Sequence, residues 1–477
     1  MFSKHITMKL LLLFWLFLTG LSTCIGQNTS DSLILVDGQA VTLENLLQRY
    51  IRIPSVSGNE KEAGDFIKKV CEENGLFISN FGEENGNYNF AASIRPLDKN
   101  KPNLVFLNHI DVVPSSEDEG MNGFSGRIEN GKVYGRGAID NKGAAVMQLA
   151  AVIRAGKLAQ KNDLQFNVTF LAVSCEETQC GTGVSYVIKN YLEILNPATV
   201  IGEGPTELST LIPGKFKNHI FGVSLAHKRT MWLNLTLAVE TAGHGSVTPL
   251  SYANKDMVEA LERVVTKKQK LYYNDINTGI LKTFGEHKKG IEKLVLSHPK
   301  FFKPLLVGKL RAQPELFSIF SNTITLTNIN SSPGAHNQIA PKVVATLDCR
   351  LLPDADEQAF IENLKKVLDN NNINVSIENI SQKTGFSEKN NIYYYNLEKA
   401  IKLNYTDAHV MPIILPNMND LGAFRVKGIP CYATIPTYVS KEQVESIHNK
   451  DENIDVKSLY NGAQVYYDFI ELMEKIK

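Results

Sequence analysis

Hydrophobic and polar positions along the chain fall into two textures. From about Leu43 to Glu203, short β-rich apolar runs recur between turn residues: NLVFLNH (103–109), LQFNVTFLAV (164–173) and ATVIG (198–202). Runs of that length and composition predict buried strands. Between them, NKGAAVMQLAAVIRAGKLAQ (141–160) spaces its apolar residues as a helix does and contains no proline. Strands and helices in this alternation predict an α/β fold, a three-layer domain around a mostly parallel central sheet. In such sheets ligands collect beyond the carboxyl ends of the strands.

From about Lys228 the texture changes. TMWLNLTLAVE (230–240) alternates like a strand with one exposed face, and a helix follows over Asn254–Thr266. After a charged, Phe-rich stretch come strands at Thr323–Asn328 and Val343–Leu351, a helix at Glu357–Leu368 and a strand at Asn374–Glu378. With the Phe-rich stretch set aside, β-α-β-β-α-β is the order of a ferredoxin-like α+β domain. Residues 383–477 return to αβ character and end in an apolar helix. The chain therefore divides into a first catalytic part (33–226), an inserted lid or dimerisation domain (227–382) and a second catalytic part (383–477). Its 477 residues are too many for one ordinary core. Residues Phe301–Phe320 read as helical packing, with an acyl-chain groove as the alternative.

Composition narrows the class. Hydrophobic residues make up 43% and charged residues 21%, as in folded proteins. Lys+Arg and Asp+Glu number 50 each, so nothing in the charge points to nucleic acid as a partner. Lys4 and Lys9 precede the 12-residue apolar run Leu10–Leu21, too short for the roughly 20 residues a bilayer span requires. That pattern predicts a signal peptide over 1–26 and export to a periplasmic or extracellular space. Cys24, in LSTC, adds the option of a lipid anchor, although Thr23 suits such a site poorly. No CxxC pair is present, which argues against a zinc knuckle. Cys175 and Cys180 either pair in an oxidising compartment or remain buried thiols.

Acids and imidazoles stand at the strand ends. His109 and Asp111 follow the first apolar strand, and Asp140 sits in the glycine-rich turn of GRGAIDNKG just before a helix. Glu176 and Glu177 close LQFNVTFLAV, Glu203 closes ATVIG, and His448 precedes the final helix. The glycine-rich turn lacks the GKS/T ending of a phosphate loop. Two imidazoles with several carboxylates suit a pair of zinc ions, which take His nitrogen and carboxylate oxygen and activate water for hydrolysis.

HxD followed by VVP, GRGxxDxKG, the Glu pair, GE before Gly-Pro-Thr, GHxS and a late His resemble, in this order, one family. It is the di-zinc peptidase and amidase family of aminoacylase, carboxypeptidase S, dipeptidases and succinyl-diaminopimelate desuccinylase. The insertion near residue 300 is most similar to the carboxypeptidase S-like branch. The resemblance implies two Zn2+ per chain, with Asp140 bridging, His109 and Glu203 on one ion, and Glu177 and His448 on the other. It makes Glu176 the general base, Asp111 the carboxylate that orients the His109 ring, and His244 a lid histidine that stabilises the oxyanion, often across a homodimer. Asn337 and Arg350 would bind the substrate's carboxylate. The activity it implies is that of a carboxypeptidase or dipeptidase acting next to a free C-terminal carboxylate. An N-acyl-amino-acid hydrolase is the alternative of the same mechanism, and a non-catalytic binding protein the alternative of another class. Asn108 and Gly422 depart from the family pattern, where glycine and arginine are common, and leave Asp420 as a residue lining the site.

Overall fold

The computed structural model describes residues 33–116, 118–209, 218–240 and 243–476; the apolar N-terminal run and Cys24 lie outside them. In chain order the principal strands are β1 (Phe77–Glu84), β2 (Asn87–Ser93), β3 (Asn103–His109), β4 (Asn167–Val173), β5 (Pro197–Gly202) and β6 (Ile220–His227). They continue as β7 (Arg229–Ala238), β8 (Thr323–Ser331), β9 (Lys342–Leu351), β10 (Asn374–Ile380), β11 (His409–Leu415) and β12 (Cys431–Ala433). Eight of them form the central sheet in the order β11-β6-β12-β5-β3-β4-β2-β1. Its middle, β12-β5-β3-β4, is parallel throughout.

Every residue of β3 and β4 is buried, as expected for parallel strands covered on both faces. Leu104, Phe106 and Phe170 point into the core beneath the helices Lys142–Ala159 and Val456–Glu474. Val105, Leu107 and Leu171 point into a second core on the opposite face. The side-chain period of two thus explains the apolar runs and creates the three layers. Burying one Phe or Leu there contributes roughly 1.5–3 kcal/mol, so the strand ends that carry the site rest on a rigid support.

Strands β7 to β10 form a separate antiparallel sheet in the order β8-β9-β7-β10, the ferredoxin-like arrangement. Met231, Leu233 and Leu235 alternate inward beneath the helices Ala253–Thr266 and Glu357–Leu368. The second of these helices begins where the Asp356 side chain accepts the Ala359 N–H at 3.0 Å, and it stops at Asp369 with φ 46°.

The Phe-rich stretch forms helices, but they do not belong to the lid. Within residues 275–320, Ile280, Leu281, Phe284, Leu306 and Phe320 join the core that contains Met411 of β11. The helix Asp275–Glu286 lies along this edge strand and covers an edge that would otherwise present unpaired backbone groups. Residues 227–382 are therefore a lid sheet interrupted by a helical strap bound to the catalytic domain. The cysteine alternative is also resolved: Cys175 and Cys180 form a disulfide with a Cα–Cα distance of 5.4 Å.

Candidate active site

Three neighbouring parallel strands deliver their ends to one place. β3 ends at His109, β5 stops one residue short of Glu203, and the chain leaving β4 passes Ser174 and Cys175 before Glu176 and Glu177. Adjacent strands lie about 4.8 Å apart, so side chains just past their ends converge. Asp140 enters from the turn that precedes the helix Lys142–Ala159, and His448 from the segment before the final helix. His109 Nε2 lies 3.1 Å from Asp140 Oδ1 and 3.0 Å from Glu203 Oε2. His448 Nε2 lies 3.3 Å from Asp140 Oδ2 and 3.2 Å from Glu177 Oε1. The two oxygens of one carboxylate face two different imidazoles.

Asp111 departs in detail from its expected role. His109 Nδ1 donates to the Asp111 backbone carbonyl at 2.8 Å, while the carboxylate Oδ1 is 3.6 Å away. The Asp111 carboxylate instead accepts the Glu176 and Glu177 backbone N–H groups, both at 3.1 Å, and the Ser57 hydroxyl at 2.7 Å. The residue ties the His109 strand end to the loop that carries both glutamates. Asn108, where glycine is usual, is buried and donates to Gln148 at 2.8 Å.

The charges in this cluster strain against one another. Burial, followed by the nearby Glu203 charge, holds the Glu176 carboxyl well above its ordinary range. Burial and Asp140 push Glu203 up to about 7. Hydrogen bonds to Asp140 and Glu177 push His448 up to about 10. Burial acts to lower the His109 pKa, but the acids around it prevail and raise it. Acids that resist ionisation beside imidazoles that retain protons mark a site that calls for positive charge. The geometry allows it: ligand atoms of His109, Asp140 and Glu177, and of His109, Glu176 and Glu203, lie within 4.8 Å of one another in each set. The donor set fits divalent ions of the zinc class.

Comparison with known proteins gives this cluster a family. The sequence model of peptidase family M20/M25/M40 matches residues 105–472, a span that contains every residue of the cluster. The chain belongs to this family. It is 25% identical to the N-fatty-acyl-amino acid synthase/hydrolase PM20D1 of Xenopus tropicalis, over 93% of this chain and 88% of that protein. A probable carboxypeptidase S-like protein of Dictyostelium discoideum is 23% identical, over 82% and 75%. The M20 metallo-carboxypeptidase Sso-CP2 of Sulfolobus solfataricus shares the fold with a TM-score of 0.66 and 21% identity, over 91% of this chain and 99% of that one. The protein is an M20 hydrolase of a metal-dependent family.

In this M20 chain no hydrogen bond or ion pair joins His244, Asn337 or Arg350 to the cluster among the described residues. Asn337 Nδ2 lies 2.8 Å from His244 Nε2 at an exposed end of the lid. Arg350 is held by Asp348, with Nε 2.9 Å and 3.1 Å from its two oxygens, and donates from Nη1 to Thr230 at 2.8 Å. None of the three lines the cavity of about 320 Å³ beside Glu176. Asp420 does line it, half-buried, with its buried Oδ2 unpartnered among the described residues. Burial raises its carboxyl to about 8.

Glu452 is a functional residue that the sequence reading passed over. Its buried carboxylate accepts the Ile139 N–H at 2.9 Å, the Asp140 and Gly137 N–H groups at 3.1 Å, and Arg136 Nη1 at 3.1 Å. It lies four residues beyond His448 and fixes the turn bearing Asp140 against the segment bearing His448. The only sequence signal was an acid in a polar turn, which reads as solvated. Glu452→Gln replaces one acceptor oxygen with a donor that faces N–H groups. Zinc affinity is expected to fall 10–100-fold with the fold intact, as read by metal titration alongside circular dichroism. Unchanged affinity would remove Glu452 from the positioning role.

Proposed function

We propose that this M20 hydrolase is an exported exopeptidase that holds two zinc ions and cleaves the amide bond next to a free C-terminal carboxylate. The observation that carries this reading is Asp140, with one oxygen 3.1 Å from His109 and the other 3.3 Å from His448. A carboxylate so placed suits a bridge between two ions. Glu203 would complete the His109 side and Glu177 the His448 side. When bound, such ions polarise a carbonyl and lower the pKa of water. Glu176, beside them on the loop fixed by Asp111, takes the proton from the attacking water and passes it to the leaving nitrogen. Arg350 and Asn337 hold the substrate's carboxylate, the guanidinium through its planar fork.

His244 stabilises the oxyanion. Since no hydrogen bond or ion pair joins it to the cluster among the described residues, we include in this proposal a homodimer formed through the lid, with the His244 of the partner subunit reaching the site. His244→Ala is expected to lower kcat by about 10²–10³-fold, measured on the best peptide substrate. An unchanged kcat would return His244 to the surface.

Export is supported by the basic flank and apolar run of residues 4–21 and by the Cys175–Cys180 disulfide, a bond of oxidising compartments. Among the described residues no helix is long and apolar enough to cross a membrane. Cys24 provides an option for lipid attachment within the same reading.

The PM20D1 likeness over most of the chain favours one second reading, an N-acyl-amino-acid hydrolase. Both bonds are amides with a carboxylate on the leaving side, so the same residues serve either. Release of free amino acid from matched dipeptides and N-acetyl amino acids, with and without chelator, separates the two. Chelator-sensitive release from dipeptides supports the exopeptidase. Release from the acetyl series alone makes it an aminoacylase, and release that ignores chelator rejects the metal-dependent reading.

A further inference from the structure

Glu176 and Glu177 stand inside a covalent ring. They lie between Cys175 and Cys180, whose disulfide closes at a Cα–Cα distance of 5.4 Å. The segment around them, from Ser174 to Gly183, is neither strand nor helix, and Thr178 and Gln179 at its tip are exposed. Buried Asn89 ties the ends of this segment together: its Oδ1 accepts the Ser174 N–H at 3.2 Å, and its Nδ2 donates to the Thr182 carbonyl at 2.9 Å. The disulfide makes a second, inner closure around the two glutamates.

The backbone of this inner turn needs support. Cys175 and Gln179 both have left-handed φ, 65° and 53°, a conformation that residues with a Cβ keep only where their surroundings impose it. The turn at Cys175 makes two successive N–H groups face one way. Those of Glu176 and Glu177 reach the two oxygens of Asp111, each at 3.1 Å, whereas successive N–H groups of a strand point to opposite sides. Within the ring, the Gln179 N–H donates to the Glu176 carbonyl at 3.0 Å and the Cys180 N–H to the Cys175 carbonyl at 3.3 Å.

Little else aims the two side chains. Among the described residues the Glu177 carboxylate meets only His448, at 3.2 Å, and no hydrogen bond reaches the Glu176 carboxylate. Their direction therefore follows from the backbone that carries them, and that backbone follows from the turn. Groups outside a metal site that fix the direction of its ligands govern its affinity.

We propose that the Cys175–Cys180 disulfide is a positioning clamp, which holds the left-handed turn at Cys175 and so sets Glu177 toward His448 and Glu176 beside His109 and Glu203. This rests on the two-ion reading of the site, and its effect is unequal. The ion between Glu177 and His448 depends on the clamp. The ion between His109 and Glu203 does not, because those residues follow β3 and β5, outside the ring.

The test titrates zinc into the metal-free full chain, wild type and Cys175→Ser/Cys180→Ser, with the His448 ring resonances reporting which side fills. The ion on the His448 side is expected to bind about 10–100-fold less tightly in the variant, and the other as in wild type. Hydrogen exchange at the Glu176 and Glu177 amides quickens, while the Ile139 and Asp140 amides, held by Glu452, keep their rates. At saturating zinc, kcat falls about 10–100-fold with KM little changed. Wild-type protein reduced with a water-soluble phosphine, which becomes the phosphine oxide as the sulfurs take up two electrons and two protons, behaves as the variant does. Oxidised glutathione restores it, and the variant ignores both reagents. Wild-type zinc affinity on both sides with unchanged exchange at 176 and 177 overturns the clamp. So does loss of both ions with faster exchange throughout the chain, because the disulfide would then serve the fold as a whole; reduced wild type decides the question if the variant does not fold. A wild type that binds one zinc rejects the two-ion reading, and exchange at 176 and 177 then judges the clamp alone.

Discussion

Glu176→Gln is expected to lower kcat by about 10²–10⁴-fold, the range for loss of a positioned general base, while zinc content stays at the wild-type value. The reason lies in what the side chain does and does not touch. The Glu176 backbone is fixed by Asp111 at 3.1 Å, but no hydrogen bond reaches its carboxylate among the described residues. A carboxylate left free beside the cluster is available to a proton. Its acidity is displaced in the useful direction, since burial and the Glu203 charge raise its pKa above the ordinary value. A base works only when ionised, so wild-type activity falls as pH drops through that raised pKa, and this acid limb disappears with glutamine in place. The competing role is real on geometry alone, because Glu176 also lies within ligand distance of His109 and Glu203. Metal content decides between them. A Glu176→Gln protein that loses zinc in proportion to activity has lost a ligand, and one that keeps both zinc and turnover has lost nothing catalytic.

Much of this site was legible because parallel sheets place function at strand ends, and strand ends show in a sequence. His109, Glu177 and Glu203 each follow an apolar run, and β3, β4 and β5 are neighbours in the sheet. Asp140 showed through its glycine-rich turn. What stayed hidden depends on contacts between distant segments. Asp111 and Glu452 both act through backbone N–H groups of loops, 65 and 313 residues away in two of those bonds, and no local pattern encodes such a pairing. His227 appeared as a histidine near a motif, and Gly422 as a departure; only the fold shows that the imidazole fills the space a side chain at 422 would need. The helical strap at 275–320 carried the right periodicity, but a periodicity names a buried face without naming the surface that buries it. Its binding to β11 rather than to the lid sheet was invisible for that reason.

Asp140→Ala and Asp140→Asn are expected to differ in a way that tests the bridge directly. Alanine removes the oxygen facing His109 and the oxygen facing His448 together, leaving each imidazole with one carboxylate partner. Two protein ligands are fewer than zinc sites use, so at micromolar free zinc the alanine protein retains neither ion and no turnover. Asparagine keeps one carbonyl oxygen, which serves one side only, and it is expected to hold a single ion. Two tightly held ions in Asp140→Asn would reject the bridging role. The pH dependence carries the same signature. Without metal, hydrogen bonds to Asp140 and Glu177 push His448 up to about 10 and burial with Asp140 pushes Glu203 up to about 7, so near neutral pH a metal must compete with protons on these groups. Zinc affinity therefore weakens as pH falls from 8 to 6, and binding releases protons that calorimetry in buffers of different ionisation enthalpy will count. The hydrogen bond to Asp140 is the largest cause of the raised His448 pKa. Alanine at 140 should thus bring His448 back toward its ordinary range, observable by titrating its ring resonances. An imidazole that still titrates near 10 in that variant would show that Glu177 alone holds its proton and that Asp140 is not shared between the two histidines.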